Sequence, residues 1–281
     1  MSWSQRIANQ EKNFKSFFTD IFQNTRIFPE IIKKDIKTSF AQSLLGPSYL
    51  FLLPFVQAFV FNFLLNNVAK ADFSGNVPSY LFYLSGFMFW NLFANGANRG
   101  SSGIINNIKL IQQISIPRIV FVISPIIYSL IIFAASFLIF TIFNFLFFLE
   151  INFTIELSTK FLLIIPLILY CMLLSLTYSI FVSSISIKYR DFIYANSVVI
   201  QILMILSCVL FTAENLTGVS SYMLYINPFI LVTETFRWIW FDSTFTLSLS
   251  EISSQIIIFL ISFFVAVKIF LKKDKFMVDL I

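Results

Sequence analysis

Residues 119–149 read IVFVISPIIYSLIIFAASFLIFTIFNFLFFL, a run without Asp, Glu, Lys or Arg held between Arg118 and Glu150. As a helix rising about 1.5 Å per residue the run extends roughly 46 Å, against a hydrocarbon core of about 30 Å. That is more than a straight crossing needs and less than a hairpin requires, so the run is expected to tilt or to project outward. Five more charge-free windows surround it: Tyr49–Leu65, Ser79–Ala97, Phe161–Ile187, Phe192–Ala213 and Ile252–Val267. Each is near or above the roughly 17 to 25 residues that a spanning helix takes.

The predicted fold is therefore an all-α integral membrane protein with six transmembrane helices. Assigning the connecting segments alternately to two sides places Arg6, Lys12, Lys15, Arg26, Lys33, Lys34 and Lys37 on one side, with Arg99, Lys109, Arg118, Lys188, Arg190, Lys268, Lys272, Lys273 and Lys275. The other side receives only Lys70, Lys160 and Arg237 of the 19 cations. Cytoplasmic segments carry the Lys and Arg excess, so both termini are expected in the cytoplasm of a multi-pass protein. The chain divides into a cytoplasmic segment 1–48, a six-span transmembrane domain 49–271 and a cytoplasmic tail 272–281. The first 48 residues are polar and basic rather than a short apolar run, so no cleavable signal peptide is expected.

With 58% hydrophobic and 12% charged residues, the composition excludes a soluble domain and a disordered chain. The net charge of +5 follows the cytoplasmic edge, which suits anionic lipid rather than nucleic acid. Cys171 and Cys208 fall inside predicted spans and read as packing residues. The sequons at Asn152 and Asn215 fall on the predicted outside and are assigned no role.

The chain has no His, and no window holds an ionisable group. Ion-coupled carriers place such groups or broken helices near the midplane, and membrane enzymes need His, Asp, Glu or Cys clusters. Neither pattern occurs, and no Gly-x-x-x-x-Gly-Lys-[Ser/Thr] phosphate cradle is present. Uphill transport by this chain would draw its energy from a partner.

Apolar positions Phe28, Ile31, Ile32, Ile36, Phe40 and Leu44 recur at steps of three and four, which predicts an amphipathic helix over 27–45. It is expected in the cytoplasmic interface or packed on a partner. Gly46-Pro47 should break it, and Pro54 should kink the first span or free a backbone carbonyl within it. Gly96 and Gly100 match the small-residue spacing of a dimer seam, but they straddle Arg99 at the membrane edge, so with Gly103 they are expected to mark a turn into the second loop, Asn98 to Arg118, whose run Ile104 to Ile114 predicts a short surface helix. The fifth loop, Glu214 to Glu251, is apolar and aromatic yet holds Asn227-Pro228, Glu234 and Arg237. It reads as a re-entrant segment, tolerated only where protein or a cavity shields its backbone. If it is helical, Glu234 and Arg237 pair on one face, and truncating one in a dry site should cost more than removing both.

The order of features resembles the transmembrane subunit of type-2 ABC exporters for polysaccharides, the permeases of O-antigen, capsule and teichoic-acid export. The resemblance covers roughly residues 25 to 281. It rests on Leu45-Gly46-Pro47, the run from Leu84 to Asn91, Leu110-Ile111, Ile116-Pro117-Arg118, Tyr189-Arg190-Asp191, Asn227-Pro228 and Phe236-Arg237. Ser48-Tyr49, Gln112-Gln113 and Ser207-Cys208 depart from the usual pattern. The resemblance implies a homodimer, bound to two copies of an ABC ATPase that carry ATP and Mg, with no cofactor on this chain. The cargo it implies is a lipid-linked glycan crossing the bacterial cytoplasmic membrane; a drug, lipid or other small amphiphile is the alternative. The resemblance also assigns ATPase coupling to Ile116, Pro117, Arg118, Tyr189, Arg190 and Asp191, and a channel or exit region to Pro54, Trp90, Asn227, Pro228, Glu234 and Arg237.

Overall fold

The computed structural model describes residues 14–40, 48–70, 77–113, 116–151, 159–241 and 243–274. Gly46-Pro47, Asp72, Asn152, Glu156, Asp242 and the tail 275–281 lie outside the described residues. Among the described residues every regular element is helical. The chain runs through α1 (Phe14–Gln23), a 3-10 turn (Thr25–Ile27), α2 (Phe28–Phe40) and α3 (Ser48–Asn62), which continues as a π-helical turn, Phe63–Val68. Then follow α4 (Ser79–Asn106), α5 (Ile108–Gln113), α6 (Ile119–Ile151), a 3-10 turn (Thr159–Leu163), α7 (Ile164–Ser186) and α8 (Asp191–Ile205). Two further 3-10 turns lead to α9 (Met223–Ile226), α10 (Ile230–Phe241) and α11 (Leu249–Asp274).

Three stretches among the described residues are long and apolar enough to cross a membrane: Ile119–Phe145, Thr159–Ser186 and Leu249–Asp274. Leu52–Asn66 and Asp191–Ile205 are shorter apolar helices.

At the centre stands α4, packed against α3, α6 and α7. Its residues Leu81 to Phe93 are all buried. The helix does not turn at its glycines. Gly96, Gly100 and Gly103 lie inside it, where a Cβ on Gly96 would stand 2.4 Å from Ser175 Oγ and one on Gly103 would stand 2.1 Å from the Phe121 carbonyl. The three are seats for neighbouring helices within the same chain, because absent side chains let backbones approach. Most of the expected second loop is therefore helix. Arg99, on this extension, places its guanidinium 4.8 Å from the Tyr128 ring centre, and the short helix expected from Ile104 begins at Ile108 as α5.

The amphipathic segment forms α2 on the face its periodicity gives. Ile32 and Ile36 pack on Tyr128 and Ile132 of α6, while Glu30 and Lys33 are exposed. Helix α1 had no counterpart in the periodicity reading. Its Phe14 stacks on Phe264 at 5.3 Å, and Phe17 meets Phe270 edge-on at 6.4 Å, so α1 leans along the last third of α11.

The fifth apolar window is not one helix. It is helical only to Ile205, after which residues 206–212 leave helical geometry and Cys208 takes a positive φ of 51°. That conformation costs an L residue roughly 1–2 kcal/mol, so neighbouring groups must hold it.

Candidate functional site

The groups that hold it come from α9, α10 and the turn between them. Asn227 Nδ2 donates to the Leu206 carbonyl at 2.7 Å and to Ser207 Oγ at 2.9 Å. Asn227 Oδ1 accepts from Phe229 N at 3.0 Å, so one side chain closes its own turn and caps the end of α8. From α11, Gln255 donates to the Leu224 carbonyl and accepts from Leu231 N at 3.1 Å. A lone Gln within an apolar window thus joins the end of α9 to the start of α10.

Arg237 does the larger share. Its Nη1 donates to the carbonyls of Cys208 at 2.8 Å and Phe211 at 3.1 Å, and its Nη2 to that of Val209 at 2.9 Å. The guanidinium lies 3.7 Å from the Phe82 ring centre. Glu234, one helical step away, meets it at 3.2 Å, and the two side chains are 5% and 4% exposed. Glu234 also accepts from Ala213 N at 3.3 Å and Thr246 Oγ1 at 3.0 Å. Carbonyls that a continuing helix would have bonded are thus satisfied by a side-chain fork. Gly86 makes room for it, since a Cβ there would stand 2.7 Å from the Val209 carbonyl and 3.1 Å from Arg237 Nη2. The pair expected from spacing is present. Because the fork also caps three carbonyls, removing both partners is no longer expected to rescue the loss of Arg237.

Against the same turn lies an apolar groove of about 350 Å³. Trp90 and Phe93 of α4, Tyr178 and Phe181 of α7, and the Asn227-Pro228 turn face into it. Trp90, Asn227 and Pro228 of the predicted channel set therefore meet in one place. Pro54 is buried within α3 and does not line the groove. Behind Tyr178, whose hydroxyl donates to Asn196 Oδ1 at 2.7 Å, Asn196 Nδ2 donates to Asn98 Oδ1 at 2.8 Å. That chain ties α7, α8 and α4 together.

The predicted coupling residues have different surroundings. Arg118 pairs with the Asp274 carboxylate, and its Nη1 donates to the Asp274 carbonyl at 2.8 Å. The start of α6 is thereby pinned to the end of α11, beside Phe17 and Asp20 of α1. Ile116 and Pro117 are half-buried next to it, whereas Tyr189, Arg190 and Asp191, at the start of α8, are exposed. Near α5, Lys34 bonds to Asn107. Burial raises the Asp35 carboxyl above the ordinary aspartate range, offset in part by Lys34 and Arg99.

The family model described as ABC-2 type transporter matches residues 28–241, from the first residue of α2 to the last of α10. The chain belongs to the ABC-2 type transporter family. It is a multi-pass membrane protein and the permease component of an ABC exporter, and membership implies an ABC ATPase as its partner. No curated protein matches the chain. The groove's α4, α7, α8 and Asn227-Pro228 walls, the capped break and both coupling candidates all fall inside the matched stretch of the permease. Asp274 and Gln255 fall beyond it, and sequence reading passed over both. The one amide side chain in its apolar window was the available signal for Gln255; for Asp274, 156 positions from Arg118, there was none.

Proposed function

We propose that the permease is the membrane subunit of an ATP-driven exporter that carries a lipid-linked polysaccharide, of the O-antigen, capsule or teichoic-acid type, across the bacterial cytoplasmic membrane. Two copies pair, each with a separate ATPase subunit that holds ATP and Mg, and six segments cross with both termini in the cytoplasm. The observation that carries the reading is the meeting of Trp90, Asn227 and Pro228 on an uncharged, aromatic-lined groove. A site for a coupling ion is expected to carry charge, which the lining lacks; an amphiphile needs a largely apolar groove.

Other features support the arrangement. The Asn227-Pro228-Phe229 turn packs against Trp90, midway along α4, with Trp90 and Phe229 rings 5.0 Å apart. Phe241, at the other end of α10, meets Phe140 in the second half of α6. On this reading the segment enters through α9, turns at mid-depth and leaves through α10; α10 is largely buried, while Tyr225 and Ile226 of α9 are exposed and would need a second copy to cover them. The outer faces of α3 (Val56, Phe59) and α8 (Tyr194, Val198, Ile202) are exposed, and α8 also exposes Gln201, a polar group better covered by a second copy than by lipid. Tyr189, Arg190 and Asp191 offer the ATPase an open surface, and Arg118 acts through α11.

The test is reconstitution of the permease with its ATPase in proteoliposomes, following a labelled lipid-linked glycan and a small amphiphilic dye. ATP-dependent translocation of the glycan and not the dye is expected. Movement of the dye alone would replace the cargo with the small amphiphile.

A further inference from the structure

We propose that the groove between α4, α7, α8 and α11 holds the hydrocarbon tail of the lipid-linked cargo and not its sugars. The proposal rests on the lipid-linked reading above. Its ground is the state of the polar groups in the groove wall. Tyr178 donates to Asn196 at 2.7 Å, Thr177 to the Leu173 carbonyl at 2.8 Å and Ser262 to the Phe259 carbonyl at 2.8 Å. Ser207 donates to the Leu203 carbonyl, and Asn227 uses Nδ2 and Oδ1 on Leu206, Ser207 and Phe229. Each of these polar side chains already bonds within the protein, and no lining residue is charged. These side chains spend their donors within the protein, so a sugar in this site would find few donors for its oxygens; a hydrocarbon chain needs none.

Place and size identify the occupant further. The lining residues of α7 and α11 lie midway along two helices long and apolar enough to cross a membrane. The groove is open on one side, with Phe181 and Val265 at 42% and 47% exposure on its edge. A helix of a second copy is about 10–12 Å across with a pitch of about 5.4 Å, so 350 Å³ takes less than one turn of it. The same space takes a length of one chain. A diacyl lipid would leave its second tail outside, whereas a polyisoprenoid carrier has a single tail. The groove wall also includes Ser207, in the segment that Asn227 and Arg237 hold, so occupancy bears directly on the break after α8.

The experiment places p-benzoylphenylalanine at Phe181 in the full-length permease, with the same replacement at exposed Leu138 of α6 as the comparison. Both proteins go into phosphatidylglycerol nanodiscs doped with a long-chain polyisoprenyl phosphate and are irradiated. At Phe181 the polyisoprenyl phosphate should be captured about tenfold above its mole fraction, a preference of about 1.4 kcal/mol; at Leu138 capture should follow mole fraction. Ser262→Phe, on the opposite and exposed wall, should remove the enrichment while the protein still elutes as folded material. Capture in proportion to mole fraction at both sites, capture of a second copy of the chain, or no capture at Phe181 would each overturn the proposal. If glycan translocation is positive and enrichment absent, tail docking alone falls. If enrichment is present and only the dye is exported, the cargo reading falls and the single-tail site stands.

Discussion

Two ion pairs in this permease share one spacing and differ in everything else. Glu30 and Lys33 on α2 stand 2.9 Å apart with both side chains 71% exposed, whereas Glu234 and Arg237 on α10 stand 3.2 Å apart, at 5% and 4%. The shorter pair is the weaker one. In water it contributes about 0.3–0.5 kcal/mol, because solvent competes for both charges. The longer pair sits where an uncompensated charge is intolerable, and its guanidinium also closes the broken end of α8. Distance and spacing therefore rank the two in the wrong order; the dielectric around them and the carbonyls they serve rank them correctly.

The largest effect should come from Arg237→Gln, which strands Glu234 and uncovers three carbonyls. Breaking a buried pair in this way costs about 3–5 kcal/mol, read as a collapse of the folded fraction in detergent gel filtration and a lowered melting temperature. Glu234→Gln should cost less, about 1–3 kcal/mol, since Gln still accepts a hydrogen bond and Arg237 keeps its carbonyls. The double variant should be no more stable than Arg237→Gln. Recovery in the double variant would mean that the carbonyl caps are incidental and that α10 differs from α2 only in dryness.

Arg118 and Asp274 occupy the middle of the scale, at 15% and 4% exposure and joining two helices instead of one turn. Arg118→Gln should destabilise by about 1–3 kcal/mol. It should also lower cargo-stimulated ATP hydrolysis in the reconstituted complex, with partial recovery on exchanging the charges through Arg118→Asp and Asp274→Arg. Unchanged ATP hydrolysis in Arg118→Gln would remove this clamp from the coupling route.

What the sequence made legible follows the same division. The amphipathic face of α2 and the i,i+3 pair on α10 come from local periodicity and the apolar windows from composition; helices occupy those windows, except that the fifth is helical only to Ile205. Three features were not read from the sequence. Helix α1 carries Phe14, Phe17, Phe18, Ile21 and Phe22 at helical spacing, a signal passed over, while its partners Phe264 and Phe270 of α11 are distant in sequence. The glycines of α4 read as a turn because a small-residue run at a charged edge resembles one; their partners Ser175 and Phe121 are distant in sequence. Residues 206–212 read as helix because they are apolar, while their geometry is set by Arg237 and Asn227, more than fifteen positions away. Of the expected site, Trp90, Asn227 and Pro228 converge, and Pro54 and Arg118 have other surroundings.

At the exposed end of the scale, Lys33→Gln should change stability by no more than about 0.3–0.5 kcal/mol, and the change should vanish in high salt. A salt-insensitive loss would show that Lys33 packs its stem on the bundle and that the contrast with α10 is smaller than its exposure suggests.

Asp35, on the same helix as the exposed pair, separates burial from pairing with the smallest expected effect. Burial raises its carboxyl above the ordinary range, and Lys34 and Arg99 pull it back only in part. The folded chain therefore holds this proton more tightly than the unfolded chain does. The corresponding stability is complete below the ordinary aspartate pKa of about 3.9 and is lost as pH rises through the raised folded value. At neutral pH the ionised group is a small burden, so Asp35→Asn should raise the melting temperature at pH 7, and the gain should shrink as pH falls toward 4. A lower melting temperature at pH 7 would mean that attraction to Lys34 and Arg99 outweighs burial, and that on α2, too, a charge is held by its partners.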